Sequence, residues 1–299
     1  MSRVEAKPST VFNDNRVLLR RRITNVVMCT FLGMCLMVAV VPLLAVLWFT
    51  IREGATRLDL NFLTHSMRGV GPLDANGGAY HAIIGTLEQV AIAGVLSIPL
   101  GIAVAVYIVE VGSGKLAYGV RFLVDVMTGI PSIVAGLFIF SFWVLALGQG
   151  FSGFAAALAL AILMLPTVIR STEEMLKLVP SDLREASYAL GISQRTTILS
   201  VVLPTASSGI ITGLLLAVAR VIGETAPLLL TAFGFDAIRN DPFSGPQSGL
   251  PLFVFTQASS AFSVAIDRAW AGALTLILIV LLLTVVARVL SRRSGLAGA

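Results

Sequence analysis

The sequence predicts an all-α membrane protein with six transmembrane helices and both termini in the cytoplasm. Three observations carry this. Of 299 residues, 57% are hydrophobic and only 12% charged, where soluble domains carry about 25% charged residues. Six apolar runs, at 26–50, 82–109, 122–145, 151–170, 206–232 and 269–290, reach the roughly 20 residues that a span needs. They are continuous rather than alternating, so the strands of an outer-membrane barrel are excluded. Finally, with the N-terminus inside, the inner segments hold fifteen Lys and Arg and the outer segments five, the asymmetry that sets membrane orientation. Trp48, Trp143 and Trp270 then fall near the outer ends of their helices, as an interfacial belt requires. The net charge of +5 reports this topology and does not imply a nucleic-acid partner.

The first run follows Arg20, Arg21 and Arg22. It exceeds the roughly 7–15 residues of a signal-peptide core and closes at Arg52 and Glu53 without a small-residue cleavage pattern, so it reads as a retained span. Its two cysteines, Cys29 and Cys35, lie roughly 9 Å apart along a helix, too far for a mutual disulfide. In the second run Glu88 stands about 9 Å from the outer end, as a carboxylate at the interface or one facing a partner subunit. In the third, Pro131 and Ser132 imply a helix break, and Asp125 is expected to be solvated or paired with Arg121. The outer segments 53–80 and 233–267 are rich in Gly, Pro, Asp and Asn and read as loops with at most short helices. His65 and His81 flank the first of them as structural residues at the interface.

The largest inner loop, 171–205, divides into three pieces. Ser171 and Glu174 have the spacing of a capping box, which predicts a short helix ending near Pro180. Asp182 and Glu185 repeat that relation more loosely and open a second helix over 182–190. Gly191 suits the left-handed stop of that helix, and Ser193 caps a third. A nine-residue helix is too short to be stable alone in water, so the rest of the loop or a partner's groove must hold it. Leu183, Ala186, Ala189 and Leu190 give it an apolar face, and the small Ala186 and Ser187 allow close approach.

In the fifth run Arg220 and Glu224 stand four residues apart, which predicts one helix face, with Gly213, Ala217 and Gly223 beside them and a kink just past them at Pro227. An arginine at mid-membrane costs roughly 2.5–3.5 kcal/mol on insertion scales. Two readings are open. The pair is an internal ion bridge that lets the helix insert, or Arg220 lines a path and offers its forked donors to an oxyanion, with Glu224 holding it in place and moderating its grip.

The run "EASYALGISQRTTILSVVLP" resembles the EAA loop of ABC importer permeases. Glu185, Ala186, Gly191, Leu203 and Pro204 match outright, while Ser187 and Val201 replace the usual alanine and isoleucine. "GIPSIVAGLF", "LPTVIRSTEEMLKLVP" and "GETAPLL" are similar to the phosphate-specific (Pst) branch, its PstA-type subunit in particular. The resemblance covers most of residues 80–235. It implies a type I ABC importer permease fold, with the 182–190 segment as a coupling helix that docks on a separate ATP-binding subunit through Leu183, Glu185, Ala186, Ser187, Ala189, Leu190 and Gly191. It also implies that Arg220, Glu224 and Thr225 line the substrate pathway. The organisation that follows is a cytoplasmic tail at 1–24, the first helix and outer loop at 25–80, a permease core at 81–290 containing the coupling loop 171–205, and a tail at 291–299.

The implied function is that of a permease subunit of an ATP-driven inorganic phosphate importer. The implied partners are a homologous PstC-type permease, two PstB-type ATP-binding subunits, an external phosphate-binding protein and membrane lipids. ATP and magnesium belong to the ATPase. The one Gly-Lys pair here, Gly114-Lys115, has Val109 and Leu116 where a Walker A loop needs glycine and Ser/Thr. No H-E-x-x-H motif or cysteine cluster suggests a metal site. Two other readings are open: a permease for another oxyanion such as sulfate or molybdate, or a non-conducting membrane scaffold or sensor.

Overall fold

The computed structural model describes residues 15–71 and 73–296; residues 1–14 and 297–299 of the expected tails lie outside them. Helix α1 (Asn15–Ala55) carries the first apolar run, and the basic triplet Arg20–Arg22 continues it. The chain divides into two compact units, one up to Ile51 and one from Arg52 onward.

In the second unit α2 (Leu60–Thr64) is capped by Asp59, whose carboxylate accepts the Phe62 N–H. Helix α3 (Tyr80–Val106) runs on as a π-turn, Tyr107–Val111. Then come α4 (Gly114–Thr128) and α5 (Ser132–Ile139), the latter extended by a π-segment to Ala146. Helix α6 covers Gly153–Lys177 and α7 covers Ser181–Ala189. The single turn α8 (Gln194–Thr197) passes through a π-turn, Ile198–Val202, into α9 (Leu203–Ile222). The chain closes with α10 (Ala226–Thr231), α11 (Leu250–Ala258) and α12 (Ser263–Leu296). Among the described residues the β pairing is one isolated bridge, Phe233 with Gln247.

Five helices are long and apolar enough to span a membrane, and a sixth span exists only as the bent pair α4 and α5, which meet at 103°. The third run is therefore not one continuous helix over 122–145. Pro131, at the N-cap of α5, sets the break, because proline disfavours helical backbone in the residue before it. The fourth run and the first loop piece, by contrast, are a single helix. Ser171 lies inside α6 and donates its hydroxyl to the Val168 carbonyl, so it caps nothing. After Pro166 no glycine or proline interrupts this stretch, and its charges satisfy one another on the helix surface. Glu173, 1% exposed, accepts from Arg170 (2.8 Å) and Lys177 (3.0 Å) and has Arg121 of α4 at 3.5 Å. A carboxylate so buried persists only when paired. Arg170 also holds Asp125, so Asp125 pairs with α6 and not with Arg121 on its own helix.

Helices α3 and α6 form the core pair. Ala93, Ser97, Gly101 and Ala105 recur every four residues on α3 and are all buried. They meet Ala156, Leu160, Met164, Val168 and Ile169 of α6. A Cβ on Gly101 would stand 2.5 Å from Val168 Cγ1, so only glycine lets the backbones come this close. Small residues serve this purpose in membranes, where lipid supplies no hydrophobic drive for helix association. Gly213 of α9 is similarly seated against Ser171 of α6.

At the end away from α7, polar side chains tie the connecting loops down. Gln247, 3% exposed, accepts from Gln89 (3.0 Å) and donates to Glu88 (2.6 Å). Arg268, counted among the five outer basic residues just before the run that starts at 269, lies inside α12 and is 2% exposed. It donates to the carbonyls of Asp74 (2.7 Å) and Asn76 (3.1 Å) and to Gln257 Oε1 (3.1 Å). His81 is buried edge-on to Phe253, whereas His65 is exposed and its Nδ1 lies 3.1 Å from the Asn61 carbonyl.

Candidate functional site

The first candidate site is the nine-residue helix α7. It begins at Ser181, with Pro180 at the N-cap, so Asp182 lies in the first turn and does not cap it. Its far end is closed as the glycine requires. Gly191 has φ +75°, its N–H donates to the Tyr188 carbonyl (2.9 Å), and the Ile192 N–H donates to Ser187 (3.2 Å). Ser193 then caps α8, accepting the Thr196 N–H.

Leu183, Glu185, Ala186, Ala189 and Leu190 are exposed, Leu190 by 80%. An apolar surface of this kind on so short a helix is open to a partner. Ser187 does not belong to it: it is buried, with its hydroxyl 2.8 Å from that of Thr197. Arg184, absent from the residues expected here, anchors the helix. Its guanidinium forks onto Glu110 at 2.7 and 3.2 Å and donates to the carbonyls of Val179 (2.7 Å) and Leu176 (3.0 Å). Leu176 lies in the last turn of α6 and Val179 just past it, where a cation is favoured.

The second candidate site is the junction of α9 and α10. Helix α9 ends at Ile222, and Gly223, Glu224 and Thr225 form a non-helical link before α10. Arg220 and Glu224 therefore do not share a helix face, and they form no ion pair among the described residues. The break falls between the two charges and not after them, because Pro227 starts α10 from its first turn, where its missing N–H needs no partner. Arg220 is exposed, and Glu224 and Thr225 are half-buried. Arg220 closes an exposed row on α9 that includes Ser208, Thr212 and Leu216. The lower part of the row lines a groove of 390 Å³ with Thr284 and Arg288 of α12. Gly213 and Ala217 lie on the other side, packed inward. Glu88 is half-buried, and its carboxylate accepts from Gln247.

Residues 97–295 match the family model described as a binding-protein-dependent transport system inner membrane component. The chain is also 48% identical over 263 residues to phosphate transport system permease protein PstA 1 of Mycobacterium tuberculosis (strain ATCC 25618 / H37Rv), covering 88% of this chain and 85% of that protein. The chain belongs to the PstA family of permeases. Further relatives of this permease are PstA of Mycobacterium leprae, 47% identical over 267 residues (88% and 87% covered), and PstA of Yersinia pestis, 42% over 249 residues (83% and 83%). Among solved structures it resembles the inward-facing MetNI methionine ABC transporter, with TM-score 0.57 and 20% identity over 73% of this chain and 94% of that one. A bacterial ABC transporter involved in alginate import matches at TM-score 0.51 and 14% identity, over 91% and 99%. These two likenesses establish the type I ABC importer permease fold of this multi-pass plasma-membrane permease.

Neither Arg184 nor Glu110 was expected at the first site. The usable signal is an arginine inside the loop motif and a glutamate at the inner end of the second apolar run. Their separation of 74 residues hides the pairing.

Proposed function

We propose that the chain is a permease subunit of an ATP-driven inorganic phosphate importer, forming half of the translocation pathway. The single observation that carries this is the 48% identity, over 88% of the chain, to a phosphate transport system permease. In this reading α7 and both termini face the cytoplasm, and the exposed face of α7 docks in a groove on a PstB-type ATP-binding subunit. A PstC-type permease completes the pathway, a second ATP-binding subunit serves that partner, and an external binding protein delivers phosphate.

Closure of the ATPase pair would move α7, and the spans would alternate between outward-facing and inward-facing states. Substrate release requires that the affinity differ between those states. Arg220, exposed on α9, presents a fork of donors that fits phosphate oxygens. Glu224 and Thr225 lie at the non-helical link beside it; a carboxylate there accepts a hydrogen bond from the hydroxyl of hydrogen phosphate, which sulfate lacks at neutral pH. Without a bridge to Glu224, Arg220 keeps its fork available to the ion.

The test is reconstitution of the complex into vesicles with radiolabelled phosphate and internal ATP. ATP-dependent accumulation that unlabelled phosphate suppresses, and that sulfate and molybdate do not, is the expected result. Equal suppression by sulfate or molybdate would reassign the cargo. Absence of accumulation despite ATP hydrolysis would leave a scaffold or sensor.

A further inference from the structure

The coupling helix has a second mechanical route into the membrane besides the chain that continues from it. Chain continuity links α7 through α8 and a π-turn to α9. The other route runs through Arg184. This one side chain bonds the carbonyls of Leu176 in α6 and Val179 just past it and, at three donor–acceptor distances of 2.7 to 3.2 Å, both carboxylate oxygens of Glu110. Glu110 is only 4% exposed and belongs to the π-turn that ends α3. Gln194 of α8 donates to the Glu110 backbone carbonyl at 2.7 Å, so the same turn is gripped twice from the coupling loop. Arg121 of α4 donates to the neighbouring carbonyl of Ile108 at 3.0 Å.

A forked, charge-assisted pair holds direction as well as distance, and a buried one is lost only at high cost. At the other end, Gln89 and Glu88 of the same helix hold Gln247, whose N–H donates to the Ala232 carbonyl just past α10. These contacts connect the coupling loop through α3 to the far side of the junction that carries Glu224 and Thr225, while chain continuity connects it through α9 to Arg220.

We propose that Arg184 and Glu110 are positioning residues forming a strut that transmits the stroke of the coupling helix to α3. This rests on the ABC-importer reading above. The strut does not touch substrate; it acts by making the end of α3 follow α7.

The test uses the full complex. Cys29 and Cys35 are first replaced by serine, and Glu110→Cys and Arg184→Cys are then introduced together. Two readouts are taken: phosphate moved per ATP hydrolysed in vesicles, and hydrogen exchange at residues 107–111 and 181–191 with and without ATP. The unlinked double variant should hydrolyse ATP while moving roughly tenfold less phosphate per ATP, the scale of a lost charge-assisted contact. ATP should still change exchange over 181–191 but no longer over 107–111. A short bis-maleimide joining the two cysteines should restore both readouts, which a defect of folding would not permit.

Wild-type coupling in the unlinked variant, or no recovery when mass spectrometry shows complete linkage, would overturn the strut. If the double variant does not assemble, Arg184→Lys decides, since lysine keeps the charge but not the fork. Unchanged coupling in that variant overturns the proposal, and reduced coupling with intact ATP hydrolysis supports it. A wild-type complex that moves no phosphate yet shows the ATP-linked exchange change at 107–111 would defeat the cargo assignment alone.

Discussion

Gly191 offers a graded test of how α7 is held and of the coupling role proposed for it. Its φ of +75° is a region in which a side chain costs about 1–2 kcal/mol, with asparagine tolerated best and β-branched residues worst. A Cβ built on Gly191 meets no atom within 4 Å, so steric conflict with the rest of the chain contributes nothing and the backbone penalty stands alone. The bonds at stake are those closing α7: Leu190 to Ala186, Gly191 to Tyr188 and Ile192 to Ser187. A penalty of about 1–2 kcal/mol raises the open population of that turn roughly 5–30-fold. Gly191→Asn should sit below this range, Gly191→Ala within it and Gly191→Val at or above its top. Hydrogen exchange at residues 190–192 reads the opening, and phosphate transported per ATP in vesicles reads the consequence. Equal exchange in all three variants would refute the left-handed cap. Exchange that rises in the stated order while transport per ATP stays constant would refute the role of α7 in coupling.

Other predictions follow from the same geometry. Arg220→Ala should abolish phosphate uptake while the complex still assembles, as judged by co-purification, and normal uptake would return Arg220 to a structural role. Arg268→Met removes three charge-assisted hydrogen bonds to part-buried acceptors and should destabilise the protein by about 1.5–3 kcal/mol. Faster proteolysis at residues 66–78 should accompany the lower melting temperature. Asp236, in the link between α10 and α11, has its pKa raised by burial, with the charge of Arg268 opposing this. The fold therefore favours the protonated acid: the associated stability is present below the ordinary Asp pKa of about 3.9 and is lost as pH rises through the higher folded value. Asp236→Asn should raise the melting temperature at neutral pH, with the gain shrinking toward about pH 4; a gain independent of pH would refute the assignment.

The features legible in the sequence are those set by neighbouring residues. The stop at Gly191 and the cap at Ser193 need only a few residues around them, and both are found. So is the break at Pro131. Ser171 shows the limit of such local patterns: its spacing to Glu174 fits a cap, but a helix already under way continues when Glu173 finds Arg170 and Lys177 one turn to either side. Pro227 marks an interruption correctly and misplaces it, because proline serves as readily at the start of a new helix as at a kink. The pairings that build the sites were hidden by distance along the chain. Arg268 looks like a loop charge until two carbonyls more than 190 residues away supply its acceptors. Ser187 looks like part of the docking face until Thr197 turns it inward.

The close meshing of α3 with α6 bears on where a transport cycle can bend. Backbones as close as those at Gly101 and Val168 resist sliding past each other, so the pair is expected to travel as one lever. Bending would then fall at the three-residue link after α9 and the sharp corner between α4 and α5. A drug or antibody meant to arrest this machine would gain little by gripping the lever and much by wedging one of those joints.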